Sequence, residues 1–139
     1  MIILDTNVLS ELTRVTPASA VLNWLDAQPT TAVATTAITA AELLYGVARL
    51  PDGARKTALT GAVHALLTED LAGRIEPFDS AAATHYADLI TARDRAGHPI
   101  SIPDAQIAAI CRARQASLAT RNTGDFTGTG IDLIDPWAS

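Results

Sequence analysis

Cysteine is nearly absent: Cys111 stands alone, so no disulfide can form within the chain, and the composition fits a reducing cytoplasm. Cys111 itself reads as core packing. Lysine is as scarce, Lys56 being the single one, and Lys plus Arg number 10 against 15 Asp plus Glu, for a formal net charge of -5. That balance excludes a general basic surface that would hold nucleic acid by counterion release alone. Any work on nucleic acid has to rest on local arginines or on a metal. There is no apolar run long enough to cross a bilayer, and no basic leader with an apolar segment and a cleavage site. The expectation is a soluble, unprocessed, cytoplasmic protein with no membrane role. Also missing are a P-loop, a GxSxG elbow, a GxGxxG after the first apolar run, and any HxxxH or Cys-His spacing for zinc. His64, His85 and His98 are therefore read as structural.

What is present is enough for a core. The 139 residues are 48% hydrophobic, which fits one domain spanning 1–139. The run Ile2-Ile3-Leu4 has no polar alternation, the mark of a strand covered on both faces in a parallel sheet. Further short strands are expected at Thr30–Thr36, around Ile75, at Ser117–Thr120 and at Ile131–Ile134. Helical spacing appears from Val8, from Pro17 to about Gln28, from Ile38 to about Leu50, from Ala54 to Leu67, after Asp79, and after Ser101. Strands alternating with helices predict an α/β fold, a three-layer α/β/α sandwich around a short, mainly parallel sheet.

Four acids fall at comparable places in this scheme. Asp5 ends the first strand, Glu42 and Asp104 lie in first helical turns, and Asp125 lies in the glycine-rich loop after Thr120. Each also fits a structural role. Asp5 can cap the next helix, Thr39-Ala40-Ala41-Glu42 matches a capping box, and Ser101-Ile102-Pro103-Asp104 matches one less well. In a parallel sheet, however, helices start at the carboxyl edge of the strands, where ligands bind. Acids crowded there either take up protons or bind a cation, and an all-oxygen donor set suits Mg²⁺ or Mn²⁺ rather than Zn²⁺.

Several motifs together resemble a known family. Leu4-Asp5-Thr6-Asn7, Ala41-Glu42-Leu43 with Tyr45-Gly46, Pro103-Asp104-Ala105-Gln106-Ile107-Ala108, and Leu118-Ala119-Thr120-Arg121-Asn122 with Asp125-Phe126 look like the PIN-domain ribonucleases. The likeness spans the chain, and with the ending Gly128 to Trp137 it is most similar to VapC toxins of the FitB-like branch. The resemblance implies a Mg²⁺- or Mn²⁺-dependent endoribonuclease toxin, silenced by a VapB-like antitoxin. It implies acidic ligands at Asp5, Glu42 and Asp104, with Asp125 favoured as the fourth acid and Asn122 beside it. Thr6, Asn7 and Thr120 are expected to orient ligands or water. The resemblance further implies a homodimer, linked to DNA only through the antitoxin.

Among Arg49, Arg93, Arg95, Arg112, Arg114 and Arg121, position favours Arg121 for a phosphate of RNA. Trp24 and Trp137 are read as packing residues that also have the shape to stack on bases. Two other readings compete. One is a PIN-like module that holds RNA or antitoxin without cutting, for which Asn122 is the hint. The other is a Mg²⁺-dependent phosphatase, which the absence of an acid two residues after Asp5 disfavours.

Overall fold

In a computed structural model describing residues 1–138, the run Ile2–Leu4 is strand β1. The other strands are Val33–Thr36 (β2), Ile75–Glu76 (β3), Ser117–Ala119 (β4) and Leu133–Ile134 (β5). They form a five-stranded sheet in the order β3-β2-β1-β4-β5. Every pairing is parallel, with Ile3 opposite Ala34 on one side and Leu118 on the other. β1 is therefore the central strand, which explains why it is apolar throughout: successive side chains point to opposite faces and both faces are covered. Ile3, Ala34 and Leu118 enter one core, while Leu4, Val33 and Ala119 enter the other.

Six helices supply the outer layers: Thr6–Leu12 (α1), Ser19–Asp26 (α2), Ala37–Ala48 (α3), Ala54–Ala65 (α4), Ser80–Arg95 (α5) and Ile102–Arg114 (α6). Val8 and Leu9 of α1, Val21 of α2, Leu43 of α3 and Val63 of α4 pack with Leu4. Leu89 of α5 and Ile107, Ala108 and Cys111 of α6 pack with Ile3 on the other face. Complete burial of an Ile or Leu is worth roughly 1.5–3 kcal/mol, so this central strand anchors both layers. The small residues Ala82 and Ala109 let α5 and α6 approach closely. The three-layer α/β/α fold expected from the sequence is the fold found. Among the described residues, no helix is long and apolar enough to cross a membrane.

Local details differ from the sequence expectations in instructive ways. Pro29 leads into a 3-10 turn at Thr30–Ala32, so β2 starts only at Val33. α4 stops at Ala65 and continues as a wider π-helical turn, Leu66–Asp70, in which the Leu71 N–H donates to the Leu66 carbonyl at 3.0 Å. Both Leu67 and Leu71 thereby face the core. The Thr39–Glu42 capping box is not formed. β2 runs directly into α3, and Thr36 is the N-cap, its hydroxyl accepting from the Thr39 N–H at 3.1 Å. Asp79 caps α5, accepting from the Ala82 N–H at 3.0 Å, and Ser101 caps α6, both as the sequence predicts. The apolar residues of α3 are divided: Leu43 is buried and Val47 packs against the core, while Leu44 and its neighbour Tyr45 are exposed.

Candidate functional site

Asp5 is the first residue after the central strand, so its side chain emerges at the carboxyl edge of the sheet. It is also the N-cap of α1: Oδ1 accepts from the Thr6 N–H at 2.8 Å. The other oxygen, Oδ2, accepts from the Thr120 hydroxyl at 2.8 Å. Thr120 follows β4, the neighbouring strand, and is fully buried. Its oxygen in turn accepts from the Asn122 N–H at 3.1 Å and from Asn7 Nδ2 at 3.2 Å. Asn7 completes the stitch by accepting the Arg121 N–H on Oδ1 at 3.1 Å. The ends of β1 and β4 are thus joined by side chains, and the orientation of Asp5 is fixed by both.

Glu42 arrives from α3. Its Oε1 accepts from the Thr6 hydroxyl at 2.8 Å, so it serves no capping role and instead joins α3 to the start of α1. With the Thr6 proton committed to a carboxylate, the 3.3 Å approach of the Thr6 and Thr39 oxygens requires the Thr39 hydroxyl to supply the proton. Asp104 comes from the first turn of α6, where its own N–H donates to Ser101. Asp5, Glu42 and Asp104 line one cleft of about 500 Å³, together with Thr6, Asn7, Asn122 and Arg121.

The acids repel one another. Burial is the main force raising the Asp5 carboxyl above the usual range. The hydrogen bonds from Thr120 and Thr6 oppose it, and the charges of Glu42 and Asp125 add to it. Asp104 is raised for the same reasons, first by burial and then by Asp5 and Asp125, against the hydrogen bond at Ser101. A cation in the cleft relieves both effects. Among the described residues no three His, Cys, Asp or Glu side chains converge as a ready cage. The donor set nevertheless fits Mg²⁺, which keeps several waters and is held by one or two carboxylates plus substrate phosphates. It does not fit zinc, since all the donors are oxygens.

The residues singled out in the sequence are distributed as follows. Asp5, Thr6, Asn7, Glu42, Asp104, Arg121 and Asn122 line the cleft, and Thr120 lies behind Asp5. Asp125 is exposed on a 3-10 turn at Thr123–Phe126, outside the cleft lining but near enough for its charge to reach Asp5 and Asp104. Of the other arginines, Arg114 is occupied by Glu76 and Asp79, Arg93 by the carbonyls of His98 and Thr127, and Arg49 lies over the Tyr45 ring. Cys111 is buried and its thiol is pushed up to about 12 by that burial, which makes it inert packing. Sequence reasoning missed Glu11 and Arg14, which also line the cleft. Their i,i+3 spacing, with Glu11 in α1 and Arg14 just past its C-terminal end, was the available signal.

Comparison with known proteins places the sequence and the fold in a family. The family model described as PIN domain matches residues 2–130. The chain is 43% identical to VapC ribonuclease Y4jK of Sinorhizobium fredii, over 99% of this chain and 98% of that one. It is 39% identical to Toxin FitB of Neisseria gonorrhoeae, over 99% of each. The structure of FitAB bound to an IR36 DNA fragment superposes with a TM-score of 0.91 at 38% identity, covering 99% of this chain and 96% of that one.

Proposed function

The chain belongs to the PIN-domain family, and from that premise we propose that it is the endoribonuclease toxin of a VapBC-type toxin-antitoxin pair, cutting RNA by metal-dependent phosphodiester hydrolysis. The observation that carries the reading is the meeting of Asp5, Glu42 and Asp104 in one cleft at the carboxyl edge of the sheet. Asp5 and Asp104 would hold Mg²⁺ or Mn²⁺, with Asp125 as the fourth acid and Asn122 beside it. When bound, the ion polarises the cleavable phosphate and lowers the pKa of the attacking water.

The chain's own residues do the rest. Thr120 and the Thr6 N–H orient Asp5, and their hydrogen bonds partly oppose the upward push of burial on its carboxyl. Glu42 spends Oε1 on the Thr6 hydroxyl. Its second oxygen would either position the attacking water or bind a second ion. Asn7 holds the backbone at Arg121, and so sets where that side chain leaves the loop. An acid-lined cleft repels phosphate, so RNA engagement at the scissile position and cleavage should be lost together on chelation.

The partner is a VapB-like antitoxin, with DNA reached through it; the likeness to FitAB bound to a DNA fragment supports this. The exposed Leu44 and Tyr45 on α3 support a homodimer. Incubating the purified chain with total RNA, with and without Mg²⁺ or Mn²⁺, tests the activity against Asp5→Asn. Cleavage that persists in that variant, still dependent on metal, would overturn the site. The non-cleaving alternative is favoured by one observation, that the neutral Asn122 lines the cleft, and the same assay decides it.

A further inference from the structure

The cleft wall is not uniformly acidic. Beside Glu42 and Asp104 its lining includes Arg14, Arg121, Glu11 and Trp137. Glu11 is charged yet only 6% exposed. Its Oε2 accepts from the Ala18 N–H at 2.9 Å, and its Oε1 accepts from Arg14 Nη1 at 3.2 Å. Glu11 therefore ties the segment between α1 and α2 to α1 itself and fixes the root of Arg14, whose remaining side chain is mostly exposed. Arg121 is fixed in a different way. Its backbone is held by Asn7, and its guanidinium carbon lies 4.9 Å from the centroid of the Trp137 ring. Trp137 is half-buried, packed against the core cluster that includes Val8, Leu9 and Val21.

Both arginines have donors to spare. Arg14 uses only Nη1, and among the described residues the Arg121 guanidinium donates no hydrogen bond at all. A planar guanidinium stacked on an indole loses little freedom when it binds, and its unspent donors match the geometry of a phosphate. In a chain of net charge -5, two arginines in the lining of the acidic cleft are a local source of positive charge.

We propose that Arg121, backed by Trp137, and Arg14, rooted on the buried Glu11, grip the phosphates that flank the scissile bond of an RNA strand lying in the cleft. This rests on the nuclease reading of the carboxylate wall, and it adds how the strand is held and by which residues. Glu11 and Trp137 are positioning residues, since they act through the two arginines.

The test measures binding apart from cutting. In an Asp5→Asn background without divalent ions, binding of a single-stranded oligouridylate is followed by anisotropy across a salt series. Arg121→Ala is expected to weaken binding about tenfold, as for loss of a charge-assisted pair. It should also lower the slope of log affinity against log salt by roughly 0.7, the value for one phosphate contact on a single strand. Arg14→Ala is expected to do the same. In a Trp24→Phe background, where Trp137 is the remaining tryptophan, the oligonucleotide should alter the indole fluorescence, and Arg121→Ala should remove most of that change.

With Asp5 intact, Trp137→Leu leaves the charge but removes the platform, so KM should rise severalfold with kcat and the salt slope unchanged. Glu11→Gln keeps an acceptor for Ala18 but releases Arg14, and should make the salt slope insensitive to a subsequent Arg14→Ala. Arginine variants that bind RNA with the parent's affinity and slope overturn the proposal, and so does a parent that binds no RNA. If those variants bind RNA normally but no longer bind the antitoxin, the wall is a protein-binding surface and the proposal is again overturned. If binding depends on the arginines but no variant or parent cleaves, the wall stands and the nuclease reading fails.

Discussion

Two clusters of carboxylates in this molecule are built from the same residue types and treated in opposite ways. Near the start of α5, Glu76 and Asp79 are both satisfied by Arg114, whose Nε reaches Glu76 at 3.3 Å and whose Nη2 reaches Asp79 at 3.1 Å. The Ala82 N–H and then Arg114 hold the Asp79 carboxyl below its usual range, with partial desolvation opposing. At the carboxyl edge of the sheet, Asp5 and Asp104 have no such cation, and burial together with neighbouring acids raises both. The first cluster joins α6 to the loop before α5 and stabilises the fold. The second costs stability as the chain stands, and such an uncompensated arrangement is what a site for a cation and a phosphate requires.

Exchanging charge for its neutral isostere at the two clusters should separate them most sharply. Asp5→Asn is expected to abolish metal-dependent RNA cleavage while raising the thermal midpoint, because the amide keeps the shape and removes a buried, repelled charge. A fall in the midpoint would show that Asp5 contributes to stability after all. Arg114→Ala is expected to do the reverse, lowering stability by about 2 kcal/mol through lost charge-assisted hydrogen bonds while leaving kcat near the parent value. Denaturant titration and the RNA assay on the same preparation read both.

The pH dependence follows with opposite signs. A depressed carboxyl such as Asp79 stabilises the fold at pH above its unfolded value, near 3.8, and that contribution is lost as pH falls through its folded value. Glu11, lowered first by the Ala18 N–H, behaves alike. The raised carboxyls Asp5 and Asp104 do the contrary: folding favours their protonated forms, so their penalty is present at neutral pH and relieved as pH falls through their folded values. Urea midpoints from pH 7 to pH 3 should therefore fall less steeply in Arg114→Ala than in the parent, and more steeply in Asp5→Asn. Equal slopes in all three would remove the contrast.

The smallest expected effects concern the loop after Thr120. Asn122→Asp adds an acid to the cleft lining and should lower the Mg²⁺ concentration for half-maximal cleavage severalfold. Asp125→Asn should reduce activity more than Asn122→Ala does; if only Asn122→Ala abolishes it, the fourth position belongs to Asn122.

Much of this was legible in the chain. The unbroken apolar run Ile2-Ile3-Leu4 announced a strand buried on both faces, and helices beginning after strands put Asp5, Glu42 and Asp104 at one edge. Those inferences are local or follow from the handedness of βαβ units, so sequence carries them. The caps at Asp79 and Ser101 were likewise readable, since each bonds within its own helical turn. The capping box that Thr39-Ala40-Ala41-Glu42 also matched does not form, because the partner of Glu42, the hydroxyl of Thr6, is 36 residues away, and no short pattern encodes that contact. The same holds for Arg114, whose ion pairs span two layers, and for Arg121, whose stacking on Trp137 depends on where the last strand leaves the chain.

The sequence by itself thus determined the alternation of elements, the oxygen-only chemistry of the acids and the family, because each rests on residue type and near spacing. Tertiary structure alone decided which charges are paired and which are left facing a cleft. That outcome depends on distances between side chains remote in sequence: Arg114 lies within ion-pair distance of Asp79, while Asp5 is left facing other acids.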